Sequence, residues 1–307
     1  MINLITGGAG FLGSHLVDAL MKRNEEVKCL DNFSTGRLQN IEKWINYPNF
    51  KLIKKDIRHP IDIKANRIWH LACPASPKNY QINPIKTSEI NFLGTLNMLN
   101  LAKKYNSRIL LASSSEIYGD PQRHPQSEDY FGYVNPIGGR SCYEVGKRIA
   151  ESLFHDFSRV HNIDIRIARI FNTYGPRLEK NDGRVISNFL FQALNNKYLT
   201  IYGDGTQTRT FCYIDDLIDG LIRIMEIPYK SPINIGSTEE IKIIDLAKLI
   251  IHKINPFLSI KNQSLPEDDP KKRKPDLTIA KKVLKWESKV ALDEGLDCTI
   301  NYLRNIK

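Results

Sequence analysis

The feature that most limits what this chain can fold into stands at its start. The short apolar run Ile2-Asn3-Leu4-Ile5 leads into Thr6-Gly7-Gly8-Ala9-Gly10-Phe11-Leu12-Gly13, and residues 14–21 then carry helical periodicity. Glycines at 7, 10 and 13 allow a tight turn, close approach of the backbone to a pyrophosphate, and close packing of the helix on the strand. The helix start offers free N–H groups to phosphates. A glycine triad alone is weak evidence, but between a strand and a helix it sits in the context it requires. A second strand over 27–30 ends in Asp31, about 20 residues on, where a carboxylate bonds ribose hydroxyls and repels a 2′-phosphate. The spacing therefore predicts NAD rather than NADP, with Arg37 the one nearby group that argues otherwise.

Further strands read over 51–55, 67–72, 108–112 and 165–170, alternating with helices over 87–105 and 143–160. Such alternation with short links gives an α/β fold, a doubly wound parallel sheet whose ligands lie outside the carboxyl ends of its strands. His70 reads as a packed strand residue. Pro74, Pro77 and Pro84 predict an irregular loop walling a cleft. After Gly175 the elements shorten: a helix over 185–195, a strand over 199–202, a turn over 203–209, a helix over 214–225 and a last one over 292–304. The expected division is a dinucleotide-binding domain over 1–172, rejoined by about 210–236, and a smaller mixed α/β substrate-binding domain over 173–307.

The formal net charge of +10 raises nucleic-acid binding, but Lys and Arg are interspersed with Asp and Glu along the chain, as on an ordinary solvated surface. The one compact basic run, Lys271-Lys272-Arg273-Lys274, is bracketed by Pro270 and Pro275 and preceded by Glu267-Asp268-Asp269, and reads as a binding loop. Five scattered cysteines without a C-x-x-C spacing signal neither a zinc site nor a disulfide framework, so no metal is expected and the thiols suit a reducing cytosol. No run is apolar enough to span a bilayer, and Met1 leads directly into the first strand, so a soluble cytoplasmic protein is expected.

The chemistry is carried by Tyr143 and Lys147, four residues apart and hence on one helix face, with Ser113-Ser114-Ser115-Glu116 delivered at the end of the fifth strand. A nearby ammonium favours the phenolate of a tyrosine, whose ordinary pKa is about 10, so the pair is expected to act as a general base on a hydroxyl. Alone, this pair is weak and favours an ordinary helix with an exposed Lys and a half-buried Tyr.

Longer stretches add to it. They include Leu71-Ala72-Cys73-Pro74-Ala75-Ser76-Pro77, Asn83-Pro84-Ile85-Lys86-Thr87, Ser114-Ser115-Glu116-Ile117-Tyr118-Gly119-Asp120-Pro121, Val134-Asn135-Pro136-Ile137-Gly138 and Arg140-Ser141-Cys142-Tyr143. Arg169-Ile170-Phe171-Asn172-Thr173-Tyr174-Gly175-Pro176-Arg177, Asp182-Gly183-Arg184-Val185 and Arg273-Lys274-Pro275-Asp276 continue the pattern. On these residues the chain resembles the extended short-chain dehydrogenase/reductase superfamily, with its Rossmann sheet. Over essentially its full length it resembles the UDP-glucuronate decarboxylase family within it.

The resemblance implies conversion of UDP-glucuronate to UDP-xylose and carbon dioxide with NAD, through a UDP-4-keto intermediate and with NADH recycled in the site. Tyr143 is then the proton acceptor, Lys147 its partner, Ser114 the hydroxyl on the sugar O4 and Glu116 an additional carboxylate. Ser114 stands where the family commonly has Thr, and keeps the hydroxyl. The implied cofactor-binding set is Gly7, Gly10, Phe11, Leu12, Gly13, Asp31, Asn32, Phe33, Ser34, Asp56, Ile57, Leu71, Asn97, Tyr143 and Lys147. The implied substrate-binding set is Ala75, Tyr80, Ser114, Arg140, Asn172, Asn188, Tyr202, Arg209 and Arg273. Two roles fit Arg273, a fork onto the diphosphate or a part in catalysis.

A 4,6-dehydratase resembles its family with Asp-Glu where Ser115-Glu116 stands here, and a 4-epimerase needs no carboxylate there. The rival readings are an oxidative decarboxylase that releases NADH and the keto pentose, another NAD-dependent nucleotide-sugar epimerase or dehydratase, and a non-catalytic NAD-binding sensor. Apolar residues beyond one core face on helices 87–105 and 143–160, with the resemblance, imply a homodimer through a four-helix bundle, no nucleic acid and no membrane.

Overall fold

The structure is a computed structural model that describes residues 1–180, 182–265 and 272–305. Strand β1 (Ile2–Thr6), helix α1 (Phe11–Lys22), β2 (Glu26–Asp31), β3 (Phe50–Lys54) and β4 (Arg67–His70) begin the chain. Then come α2 (Pro77–Ile82), α3 (Pro84–Glu89), α4 (Thr95–Tyr105), β5 (Arg108–Ser114), α5 (Ser141–His161) and β6 (Ile165–Ile170). The second half comprises β7 (Thr173–Tyr174), α6 (Val185–Leu194), β8 (Leu199–Tyr202), β9 (Thr208–Thr210), β10 (Cys212–Tyr213), α7 (Ile214–Glu226) and β11 (Pro232–Ile235). It closes with β12 (Glu240–Lys242), α8 (Ile243–Ile254), β13 (Ile260–Gln263), β14 (Lys272–Arg273) and α9 (Leu292–Asn305).

Seven strands form one sheet in the order β11-β6-β5-β4-β1-β2-β3, every pair parallel. β1 lies beside both β2 and β4, so the chain winds outward in both directions and opens a crevice at the carboxyl ends of the central strands. The buried strands are almost continuously apolar, as a sheet covered on both faces requires: Ile68, Trp69, Ile109, Leu110 and Leu111 are fully buried. β11 returns late in the chain to pair with β6.

Inside β4, His70 is buried between Thr6 and Thr95. The Thr6 hydroxyl accepts the Leu71 and Ala72 N–H groups, so its own proton goes to His70 Nδ1, and Nε2 carries the hydrogen donated to Thr95. Burial, with the Lys147 charge, lowers the His70 pKa to about 3, which keeps this strut neutral.

Two features differ from the sequence reading. Pro77 and Pro84 do not make a loop: each begins a short helix, where a fixed φ and a missing N–H cost nothing. The helix expected over 87–105 is interrupted by a wider π turn at Ile90–Gly94. There Gly94 faces Ile57 so closely that a Cβ would lie 2.5 Å from its Cδ1. Of the basic run, Lys272 and Arg273 form a strand on β9, whereas Lys271, Pro270 and the acidic residues 267–269 lie outside the described residues.

Candidate active site

The crevice is a cleft of roughly 680 Å³ that runs from the β1–α1 turn, past the ends of β2, β4, β5 and β6, to α6, β9 and β14. Gly7 turns with φ +71°, and a Cβ on Gly13 would lie 2.1 Å from the Gly7 carbonyl oxygen and 2.7 Å from Gly8 Cα. Only bare backbone fits there, which is the cradle a pyrophosphate needs. Both obstacles are backbone, so Gly13→Ala is expected to cost about 1–3 kcal/mol of stability by overpacking. A fall in the thermal midpoint together with weaker NAD binding by calorimetry checks it.

Asp31 ends β2 on the cleft wall, its carboxylate accepting the Ala9 N–H at 2.9 Å and the Phe33 N–H at 2.8 Å. Burial raises its pKa, and these bonds counter the rise. A Cβ on Gly36 would lie 2.8 Å from the carboxylate, so that loop too is fitted to it. Arg37 pairs with Glu179 across the cleft instead of turning to Asp31. The arrangement suits an unphosphorylated ribose.

Gly7, Gly10, Phe11, Leu12, Gly13, Asp31, Asn32, Ser34, Asp56, Ile57 and Leu71 all line the cleft, while Phe33 and Asn97 do not. Phe33, with φ +58°, offers Asp31 its backbone only. Asn97 donates to the Ile57 carbonyl at 2.9 Å and so supports the wall from behind. Arg58 holds the Asp56 carboxyl, which accepts a bond from Asn32: burial opposes ionisation, but these bonds bring the pKa to about 2.

At the other end, Ser114, Glu116, Arg140, Tyr143, Lys147 and Arg273 converge, all less than a tenth exposed. The Ser114 hydroxyl accepts the Glu116 N–H at 3.2 Å and hydrogen-bonds Tyr143. Lys147 Nζ lies 5.7 Å from the centre of the Tyr143 ring. Glu116 is held between two guanidiniums, Arg140 at 3.0 Å and Arg273 at 3.6 Å. Burial would raise its pKa, but these two charges win and hold the carboxyl below its ordinary range. Arg140 also pairs with Glu144 at 3.3 Å.

Tyr143 runs against the sequence reading in one respect. Burial pushes its pKa well up, with Cys73 and Glu116 adding to the rise and Ser114 and Arg184 opposing it. Desolvation outweighs any help from the lysine on the same helix face, so in the free cleft the Tyr143 hydroxyl keeps its proton.

Ala75, Asn172, Asn188, Tyr202 and Arg209 line the same cleft. Tyr80 does not: it lies behind the wall, its ring stacked on Tyr143 at 5.0 Å and 5°, its hydroxyl 3.5 Å from Glu116 Oε2. Asn188 Oδ1 and Arg273 Nε and Nη2 are buried without a hydrogen-bond partner among the described residues, which suits a polar, anionic ligand. Arg184 was missed as a site residue, yet it lines the cleft and its charge acts on both Glu116 and Tyr143. The signal was there in Asp182-Gly183-Arg184, whose Asp182 accepts the Arg184 N–H at 3.0 Å and pins the turn before α6.

Residues 4–299 match the family described as GDP-mannose 4,6 dehydratase. The chain is 56% identical over 294 residues to UDP-glucuronic acid decarboxylase 3 of Arabidopsis thaliana, covering 95% of this chain and 86% of that one. It is 52% identical over 301 residues to UDP-glucuronic acid decarboxylase 1 of Xenopus tropicalis, covering 98% and 72%. Among solved structures, UDP-glucuronic acid 4-epimerase from Bacillus cereus, in complex with UDP-glucuronic acid and NAD, superposes with a TM-score of 0.90 at 29% identity over 100% of both chains. The UDP-glucose 4-epimerase of Thermotoga maritima superposes with a TM-score of 0.91 at 28% identity over 99% of both. With this fold, this cleft and these similarities, the chain belongs to the UDP-glucuronic acid decarboxylases, within the GDP-mannose 4,6-dehydratase family.

Proposed function

We propose that this protein converts UDP-glucuronate to UDP-xylose and carbon dioxide in the cleft described above. The observation that carries this reading beyond the family is Glu116, an ionised carboxylate set between Arg140 and Arg273 beside the Ser114–Tyr143 pair. The bare-backbone turn and Asp31 fit NAD, which when bound takes hydride from C4 of the sugar and later returns it. Tyr143 accepts the O4 proton, and Lys147 supports it from the same helix face.

A ketone at C4 is β to the carboxylate, so carbon dioxide leaves and the electron pair rests on the enolate oxygen. Tyr143 and Ser114 are the donors placed to stabilise that oxygen. Glu116 handles protons near C4 and C5. Arg140 and Ala75 face the glucuronate, with Tyr80 behind them. Asn172, Asn188, Tyr202 and Arg209 face the nucleotide, and Arg273, with two nitrogens that find no hydrogen-bond partner among the described residues, serves the anionic part of the substrate. In this reading residues 1–172, with about 210–236, hold the dinucleotide, and 173–307 hold the nucleotide sugar; the return of β11 to the main sheet supports that division.

The deciding experiment is incubation of the purified protein with UDP-glucuronate and catalytic NAD, followed by mass and NMR identification of the sugar. UDP-xylose with NAD regenerated is expected. Free NADH accumulating with carbon dioxide means an oxidative decarboxylase, and no carbon dioxide overturns the reading.

The same reading includes a homodimer. Phe92, Leu93, Val145 and Ile149, from the π turn and α5, are each more than a third exposed. Apolar side chains exposed on two segments packed against each other are what a four-helix bundle covers. Light scattering at micromolar concentration is expected to give twice the chain mass. Among the described residues no helix is long and apolar enough to cross a membrane. Five free thiols support residence in the reducing cytoplasm.

A further inference from the structure

Outside the candidate site one side chain carries an unusual load. Gln126 is fully buried and uses every polar group it has. Its N–H donates to the Lys274 carbonyl at 2.9 Å, and its Oε1 accepts the Lys274 N–H at 2.9 Å. Its carbonyl accepts the Asp276 N–H at 2.8 Å and Asn234 Nδ2 at 3.0 Å, and its Nε2 donates to the Arg123 carbonyl at 2.8 Å. The segment it grips starts one residue after Arg273.

Arg273 itself belongs to a two-residue strand, held laterally by pairing with Arg209 on β9. So short a strand cannot fix a long side chain by itself. The loop bearing Gln126 is anchored in turn. Asn234 accepts the Tyr118 hydroxyl at 2.8 Å, that hydroxyl accepts Arg169 Nη1 at 3.0 Å, and Arg169 forks onto Glu151 of α5.

We propose that Gln126 is a positioning residue for Arg273, clamping the backbone after β14 so that the guanidinium stands at Glu116 and at the anionic part of the substrate. This deepens the proposed function and rests on it. Without the side-chain amide, the Lys274 N–H and the Arg123 carbonyl lose their partners; the two backbone bonds to Lys274 and Asp276 remain, but β14 is held less tightly and the guanidinium shifts with it. Misplacements of about an ångström cost up to about 100-fold in rate.

The test is a double-mutant cycle of Gln126→Met, which keeps the length but not the amide, with Arg273→Met. It is read on turnover of UDP-glucuronate and on the Kd for UDP. The UDP readout survives if the substrate has been misread, so the two failures are distinguishable. Gln126→Met is expected to lose about 10- to 100-fold in kcat/KM. In the Arg273→Met background it should lose less than about 3-fold, because coupled residues are not additive.

The pH profile adds a readout that a merely structural role leaves still. Glu116 faces Arg140, Arg273 and Arg184, the hydroxyls of Tyr80 and Tyr143, and Glu144 beyond Arg140. Moving Arg273 away removes one of the charges that depress its pKa, so the acidic limb should shift to higher pH in Gln126→Met. Gln126→Glu keeps the acceptor for the Lys274 N–H and, in the protonated form that burial favours, a donor for the Arg123 carbonyl; it should stay within about 3-fold of the parent at the acidic end of the profile, and it also serves where the Met variant does not fold. Equal losses in both backgrounds, an unmoved acidic limb, or a Glu variant as stable as the parent but as impaired as the Met variant overturns the proposal.

Discussion

Tyr143→Phe is expected to lower kcat by about 10³-fold, well within what a positioned acid–base group contributes. The ring, its stack on Tyr80 and its burial all survive the change; only the hydroxyl bonded to Ser114 goes. The thermal midpoint should therefore hold and NAD should still bind, while hydride transfer and carbon dioxide release fall together, because both depend on an acceptor for the O4 proton. Burial raises the Tyr143 pKa in the free cleft, so the tyrosine keeps its proton at neutral pH. In the ultraviolet, the ligand-free parent minus Tyr143→Phe should hence show no phenolate at pH values where a free tyrosine, with a pKa of about 10, begins to ionise. A Tyr143→Phe variant that evolves carbon dioxide at the parent rate removes the base from this account.

Glu116→Gln is expected to lower turnover by about 100-fold and also to destabilise the fold. The carboxylate neutralises Arg140 and Arg273, and removing one partner from a buried pair leaves charge uncompensated. Arg140 keeps Glu144, so the loss should sit near the lower end for such pairs, about 3 kcal/mol.

The sign with pH follows from the depressed pKa. The stabilisation from Glu116 is fully present above the ordinary carboxylate value of 4.5 and is lost as pH falls through the lower, folded value. The gap in thermal midpoint between parent and variant should thus be full at pH 7 and narrow as the pH drops below about 4. A variant with parental turnover shows that Glu116 serves structure alone, and a gap that widens in acid contradicts the depressed pKa.

What was legible in the sequence was local. The strand–glycine–helix start, Asp31 at the end of β2, and Tyr143 with Lys147 on one helix face all follow from spacings of a few residues, and backbone geometry fixes where such neighbours point. What stayed hidden depends on contacts between distant parts of the chain. Tyr80, expected at the substrate, stands behind Tyr143 because α2 packs on α5. Asn97 and Phe33 support the wall that they were expected to form.

The rise in the Tyr143 pKa could not be read from Lys147, since desolvation is set by the whole surround. The π turn at Ile90–Gly94 and the two-residue strands β7, β10 and β14 have no periodicity long enough to mark them. Gln126 lies in a stretch with no local pattern of its own, and its partner Lys274 is 148 positions away.

That separation has a meaning for how the molecule is made. At about 5–20 residues per second, a ribosome that has just released Gln126 needs roughly 7–30 s more to deliver Lys274. The dinucleotide turn and the first six sheet strands are out of the exit tunnel well before then, while β11 and β14 are still being synthesised. A nascent chain thus carries the dinucleotide turn and most of its sheet before α7 and β11 arrive to complete that domain, with the sugar end of the crevice still open. The substrate gains its pocket only when the last third of the polypeptide has come home.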